Sequence, residues 1–156
     1  PLISANHRAT VENYIEVAKS EGAEILAGGG RPTDLPQGYF VSPTLVGNVT
    51  NGMRIVREEV FGPVITLQTY ADIDEAVEFA NDSDYGLAAG IFTNDVERAI
   101  TVAGRIEAGA IAINSFGAIV TEPFGGYKKS GIGREGGLEG VEDLLEVKQI
   151  QLSRGK

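Results

Sequence analysis

Apolar residues recur with a helical period in three places along this chain. Between residues 8 and 21, Val11, Tyr14, Ile15 and Ala18 stand at i, i+3, i+4 and i+7, and Gly22 follows where a helix commonly ends. Ile73, Ala76, Val77 and Ala80 repeat that spacing behind Asp72, an N-cap residue with Glu75 three positions on, which is a variant of the capping box. Val96, Ala99, Ile100 and Ala103 repeat it once more, behind Asn94 or Asp95 as the cap. Between and around these helices lie short runs that read as extended: Tyr39 to Val41, Thr44 to Val46, the largely β-branched Val64 to Leu67, Leu87 to Thr93, and Ala110 to Ile113. From residue 64 to 113 the order is strand, helix, strand, helix, strand with short connections. That order predicts an α/β fold, a largely parallel sheet with helices on both faces. The surroundings of the two crossover helices show no residue-level repeat, so they are successive elements of one fold.

The periodicity fails in two stretches. Ile25 and Leu26 lead into Gly28-Gly29-Gly30 and a proline-containing surface loop up to Gly38. Residues 114 to 140 are glycine-rich and irregular and carry Pro123, Lys128, Lys129 and Arg134; a long irregular segment inside a compact domain is usually functional. After it, Leu144, Leu145, Val147, Ile150 and Leu152 predict a terminal strand, although their alternation is imperfect. The aromatics Tyr14, Tyr39, Phe40 and Phe79 are expected in the core.

Composition narrows the function. A chain of 156 residues with 42% hydrophobic content supports one core, so a single compact unit is expected. Thirteen basic against 22 acidic residues give a net charge of -9, which disfavours nucleic acid and anionic membrane surfaces as partners. No apolar run approaches the roughly 20 residues of a bilayer span. With no cysteine and one histidine, His7, the sequence offers no disulfide, no thiolate metal site and no histidine cluster, and a cytoplasmic setting is expected. His7 reads as a solvated or capping residue. The sequons Asn48-Val49-Thr50 and Asn81-Asp82-Ser83 read as chance matches.

Gly131, Gly133 and Gly136 spell a literal G-x-G-x-x-G. A dinucleotide fingerprint needs a strand feeding the turn and a helix opening behind it, whereas Pro123 to Ser130 is loop chemistry, so a glycine-rich packing turn is the better reading. Lys128-Lys129-Ser130 lacks the upstream glycine spacing of a phosphate-binding loop. The most informative segment is Glu58-Glu59-Val60-Phe61-Gly62-Pro63. An acid pair beside a turn is ordinary surface chemistry in most proteins. Here an aromatic ring directly precedes the turn, so Glu59 and Phe61 can be presented on one side: a carboxylate accepts hydrogen bonds from a sugar diol, and a ring offers a flat face to a heterocycle. Those are the requirements of a nucleoside-binding edge.

Pro1-Leu2-Ile3, Gly38 to Leu45, Glu58 to Pro63, Asn81, Tyr85-Gly86-Leu87, Ile113-Asn114, Pro123 to Lys128, Ser130-Gly131 and Gly133-Arg134-Glu135 together resemble the C-terminal third of the NAD(P)-dependent aldehyde dehydrogenases, over essentially the whole chain. The resemblance implies oxidation of an aldehyde to an acid, with a cysteine thiolate as nucleophile, NAD or NADP as hydride acceptor and a glutamate that activates water. It assigns Glu59 to the nicotinamide ribose hydroxyls and Phe61 to the nicotinamide ring. Glu135 resembles a carboxylate near the water path to the general base. Asn114 begins the loop that closes the substrate pocket, which Phe116 and Phe124 line, while Ser115 to Glu122 has no distinctive match and leaves the aldehyde open. Arg134 and Glu146 resemble a pair that steadies a subunit interface.

The thiol, the general-base segment and a βαβ nucleotide domain have no counterpart in these 156 residues. The resemblance therefore implies a C-terminal portion of such an enzyme: residues 1–143 a catalytic-domain part, residues 144–156 an oligomerisation strand and tail. Such a chain is expected to carry no catalytic residue and no metal site, to assemble as a homo-dimer or tetramer, and to be inactive alone. A non-catalytic assembly or binding module that kept the fold is the alternative.

Overall fold

The computed structural model describes every residue except Ala118, Val120, Arg154 and Lys156. The first two fall in the Ser115–Glu122 stretch and the last two in the 144–156 tail, so those parts of the expectations lie outside the described residues. The chain divides into two compact units, Pro1–Asp82 and Ser83–Lys156, where composition alone suggested one.

The first unit is built on helix α1, Ala5–Ser20, which begins three residues earlier than the apolar stripe predicts because Ser4 caps it, its hydroxyl accepting from the His7 amide. Its buried face is Val11, Ile15 and Ala18. Gly22, at φ +97°, turns the chain back beneath it. Strands β1, Glu24–Ala27, and β2, Thr44–Gly47, pair antiparallel. A four-residue helix, α2 (Arg54–Arg57), precedes β3, Val64–Thr66, which pairs parallel to β2. Helix α3, Ile73–Asn81, follows the predicted cap: Asp72 accepts from the Glu75 amide, and the Glu75 carboxylate accepts from the Ala71 amide. The core gathers Val11, Ile15 and Val41 in one cluster and Ala18, Val46 and Ile55 in a second.

In the second unit, β4 (Tyr85–Gly86) and β5 (Ala88–Ile91) occupy the predicted run from Leu87 to Thr93 and its approach. Helix α4, Val96–Ala103, is capped by Asp95 and buries Ala99, and β6, Ala110–Ile113, returns parallel to β5. This β5-α4-β6 crossover is the predicted α/β unit. Within residues 114 to 140 lies β7, Tyr127–Lys128, antiparallel to β4, and a short helix α5, Gly137–Glu142, begins there and runs past its end. Parallel pairing is thus divided between two small sheets, β3 completing its sheet with β2 and β6 with β5.

Two expectations need correction. Among the described residues of this chain, 144–152 pair with no strand, and Leu144, Leu145, Val147, Ile150 and Leu152 are exposed. A strand exists only as one side of a ladder, and the described residues offer this segment no partner backbone. The core, moreover, contains none of the four aromatics; its buried members are Val, Ile and Ala side chains. Tyr14 and Tyr39 stay at the rim because each has a polar neighbour, Glu58 for the first and the Arg8 guanidinium, 5.7 Å from the ring centroid, for the second. Phe79 lines a cavity of about 520 Å³ together with Leu26, Asn48, Asn51, Leu67 and Gln68.

Candidate functional site

The Glu58–Pro63 turn leaves the end of α2, and its two carboxylates have separate fates. Glu58 takes two bonds from the Arg54 guanidinium, both 2.8 Å, and one from the Tyr14 hydroxyl, also 2.8 Å. The Arg54 guanidinium also stacks 5.5 Å from the Tyr14 ring centroid. The Arg54 bonds first and the Tyr14 bond second hold the Glu58 carboxyl down to about 2, and the bond to the Glu58 carboxylate raises the Tyr14 hydroxyl above its ordinary value. Glu58 is therefore occupied in holding structure. The Glu59 carboxylate is exposed and takes no hydrogen bond or ion pair among the described residues, so it is free to accept from an external donor.

Phe61 stands with φ +50° and is 75% exposed. A left-handed backbone at a residue with a Cβ costs about 1–2 kcal/mol, and a neutral hydrogen bond returns about 1 kcal/mol, so one contact suffices to offset much of it. That contact is present: His7 Nε2 lies 2.7 Å from the Phe61 carbonyl oxygen, with the two rings 6.1 Å apart. The carbonyl only accepts, so Nε2 carries the proton. His7 is thus neither merely solvated nor a cap, since its own amide is the group that is capped. Gly62 lies against α1; a Cβ there would fall 2.7 Å from Val11 Cγ2.

In the second unit, Asn114 closes the β5–β6 ladder. Its amide donates to the Ile91 carbonyl at 2.9 Å, while its side chain accepts from the Thr93 amide at 2.9 Å and donates to the Thr93 carbonyl at 2.8 Å. Its φ of +52° suits an asparagine better than most residues. Phe116, 89% exposed, packs against Phe92 with ring centroids 5.1 Å apart. Phe92 escaped the sequence reading because it looked like one more apolar residue at the end of a strand. Phe124 and Glu135 are brought together as an antiparallel bridge, each amide bonding the other's carbonyl at 2.7 and 2.8 Å. Arg134 Nη1 donates to the Gly126 and Gly133 carbonyls at 3.1 and 2.7 Å, and its guanidinium stacks over Tyr127. Among the described residues no ion pair joins it to Glu146, which is exposed.

The Gly131–Gly136 run lies between β7, which runs antiparallel to β4, and the six-residue α5, so it lacks the βαβ frame of a dinucleotide turn. Lys128 and Lys129 are paired with Glu107 and Asp84. The described residues contain no group of three or more His, Cys, Asp or Glu able to hold a metal, and no helix long and apolar enough to cross a membrane. None of the site residues named above lines the 520 Å³ cavity.

Residues 1–150 match the model of the aldehyde dehydrogenase family. The chain belongs to that family. It is 48% identical over 153 residues to a betaine aldehyde dehydrogenase of Bacillus subtilis, covering 96% of this chain and 31% of that protein. It is 46% identical over 151 residues to a chloroplastic betaine aldehyde dehydrogenase of Beta vulgaris, covering 96% of this chain and 30% of that one. Among solved structures, a Mycobacterium tuberculosis aldehyde dehydrogenase complexed with NAD+ superposes on 100% of this chain and 32% of its own, with 45% identity and a TM-score of 0.93. A Staphylococcus aureus betaine aldehyde dehydrogenase in complex with NAD+ covers 92% of this chain and 29% of its own, at 49% identity and a TM-score of 0.88. The chain thus spans about a third of the length of these aldehyde dehydrogenases.

Proposed function

We propose that this chain supplies the nicotinamide-facing edge, and part of the substrate pocket, of an NAD(P)-dependent aldehyde dehydrogenase that converts an aldehyde to a carboxylic acid. The observation that carries the proposal is the pairing of an unengaged Glu59 carboxylate with an exposed Phe61 ring on one turn, while Glu58 beside them is fully engaged. A carboxylate with free lone pairs is the acceptor that a ribose diol requires, and an exposed ring is the surface that a nicotinamide requires, so the residues present fit that end of the cofactor. When bound, NAD or NADP supplies the hydride acceptor. Glu59 orients it through the ribose and Phe61 through the ring.

In this reading Phe116 and Phe124 offer apolar surface to the aldehyde, Asn114 fixes the start of the loop that carries Phe116, and Glu135 stands near the water path. Arg134 and Glu146 serve a subunit interface, residues 1–143 act as a catalytic-domain part, and residues 144–156 as an assembly strand and tail. The thiol nucleophile and general base come from outside these 156 residues, which contain no cysteine. A thiol-dependent enzyme also suits the reducing cytoplasm.

The test is direct. The purified chain, mixed with NAD+ and a panel of aldehydes, is expected to form no NADH above background and to bind NAD+ weakly or undetectably. Sustained NADH formation, or tight binding, overturns the proposal.

A further inference from the structure

Three residues on one face of α1 each hold one residue of the Glu58–Pro63 turn. His7, Val11 and Tyr14 stand at i, i+4 and i+7, the spacing that stacks side chains along one face of a helix. His7 Nε2 bonds the Phe61 carbonyl at 2.7 Å, and the Tyr14 hydroxyl bonds Glu58 at 2.8 Å. Between them, Val11 Cγ2 stands 2.7 Å from where a Cβ on Gly62 would be. With residues 58, 61 and 62 held by the helix, the directions of Glu59 and of the Phe61 ring follow from α1 and not from the turn alone.

Among the three contacts, that of His7 acts on the residue whose backbone is costliest to hold, Phe61 at φ +50°. With its Cβ, Phe61 sits in a narrow, costly left-handed well, and the glycine that follows adds no side chain to oppose relaxation out of it. Sterics therefore favour leaving the left-handed conformation, and the imidazole donor, by holding the Phe61 carbonyl, keeps the backbone in it. Both the neutral ring protonated at Nε2 and the imidazolium can donate to a carbonyl, so the contact does not depend on His7 remaining in one charge state.

We propose that His7 is a positioning residue for the cofactor-facing turn: its Nε2–H bond to the Phe61 carbonyl holds Phe61 in its left-handed backbone conformation, and with it the direction of the ring offered to the nicotinamide. The proposal rests on the reading that Phe61 meets the nicotinamide, and its test keeps the two apart.

In the NAD+-dependent holoenzyme, His7→Leu keeps the bulk and removes the donor. Loss of one neutral hydrogen bond predicts a roughly three- to tenfold slower hydride transfer in a single turnover. The KM for aldehyde is expected to stay unchanged, and His7→Gln, whose amide N–H reaches a similar point, to restore most of the rate. The His7 imidazole NH resonance is assigned by its disappearance in His7→Leu, and a slowly exchanging Nε2–H is expected. An Nδ1–H tautomer, an unchanged rate in His7→Leu, or equal defects in the Leu and Gln variants each overturn the proposal. Phe61→Leu separates the two claims. If it leaves NAD+ affinity and hydride transfer unchanged, the nicotinamide reading fails and the positioning role with it; if it impairs them while His7→Leu does not, the positioning role alone fails.

Discussion

Glu58 and Glu59 show how much neighbours decide at the scale of one residue. They are identical in type and adjacent in sequence, yet Arg54 and Tyr14 take the first and leave the second open. A pH dependence follows for Glu58. Its carboxyl is depressed from 4.5 to about 2, so its ion pair stabilises the fold fully above about pH 4.5 and is lost as pH falls toward 2. The unfolding midpoint of Glu58→Gln is therefore expected below that of the parent at neutral pH and to converge with it in acid. Because the pair is solvent-exposed, the neutral-pH difference is small and shrinks with added salt. A midpoint difference that persists unchanged to pH 2 would show that the pair is not its source.

At the scale of elements, the helices with both a cap and an apolar stripe were legible because each signal is local. Asp72 and Asp95 cap α3 and α4 by hydrogen bonds within three residues, as the sequence predicts, whereas the Ser4 cap of α1 lies ahead of the apolar stripe and was not read from it. The four-residue α2 is too short to show a period, and its N-cap, Met53, makes no side-chain cap bond, so nothing in the sequence announced it. The 144–152 segment shows the opposite case: its composition suits a strand, but pairing is a non-local event and it finds no partner among the described residues. Close backbone approach is also invisible to pattern. A Cβ at Gly109 would fall 1.6 Å from the Gly125 carbonyl oxygen, so Gly109→Ala must push two backbone segments apart. That overpacking is expected to cost about 2–3 kcal/mol, read as a lower urea midpoint with an unchanged slope.

The whole molecule carries a net charge of -9 and a C-terminal segment whose apolar residues face solvent, Val147 at 97% exposure among them. Charge repulsion opposes association, while unpaired apolar backbone favours it. Over a span this short the local term wins once ionic strength screens the charge. The chain is therefore expected to self-associate as concentration and salt rise, with new β-structure by circular dichroism, and Val147→Lys to weaken that association. A strictly monomeric species by light scattering at high concentration and moderate salt would count against residues 145–152 as an assembly strand.

By itself the sequence determined the α/β class, the capped helices, the family and the turn on which candidate chemistry sits, because these depend on short-range periodicity and contiguous motifs. Only the tertiary structure decided that the chain forms two compact units and that its aromatics stand at the rim. It likewise decided that Glu58 rather than Glu59 is engaged, and that His7 reaches Phe61. The Tyr14–Glu58 and His7–Phe61 bonds join residues 44 and 54 positions apart. Such contacts arise when packing brings distant segments together, and no local pattern along the chain encodes them.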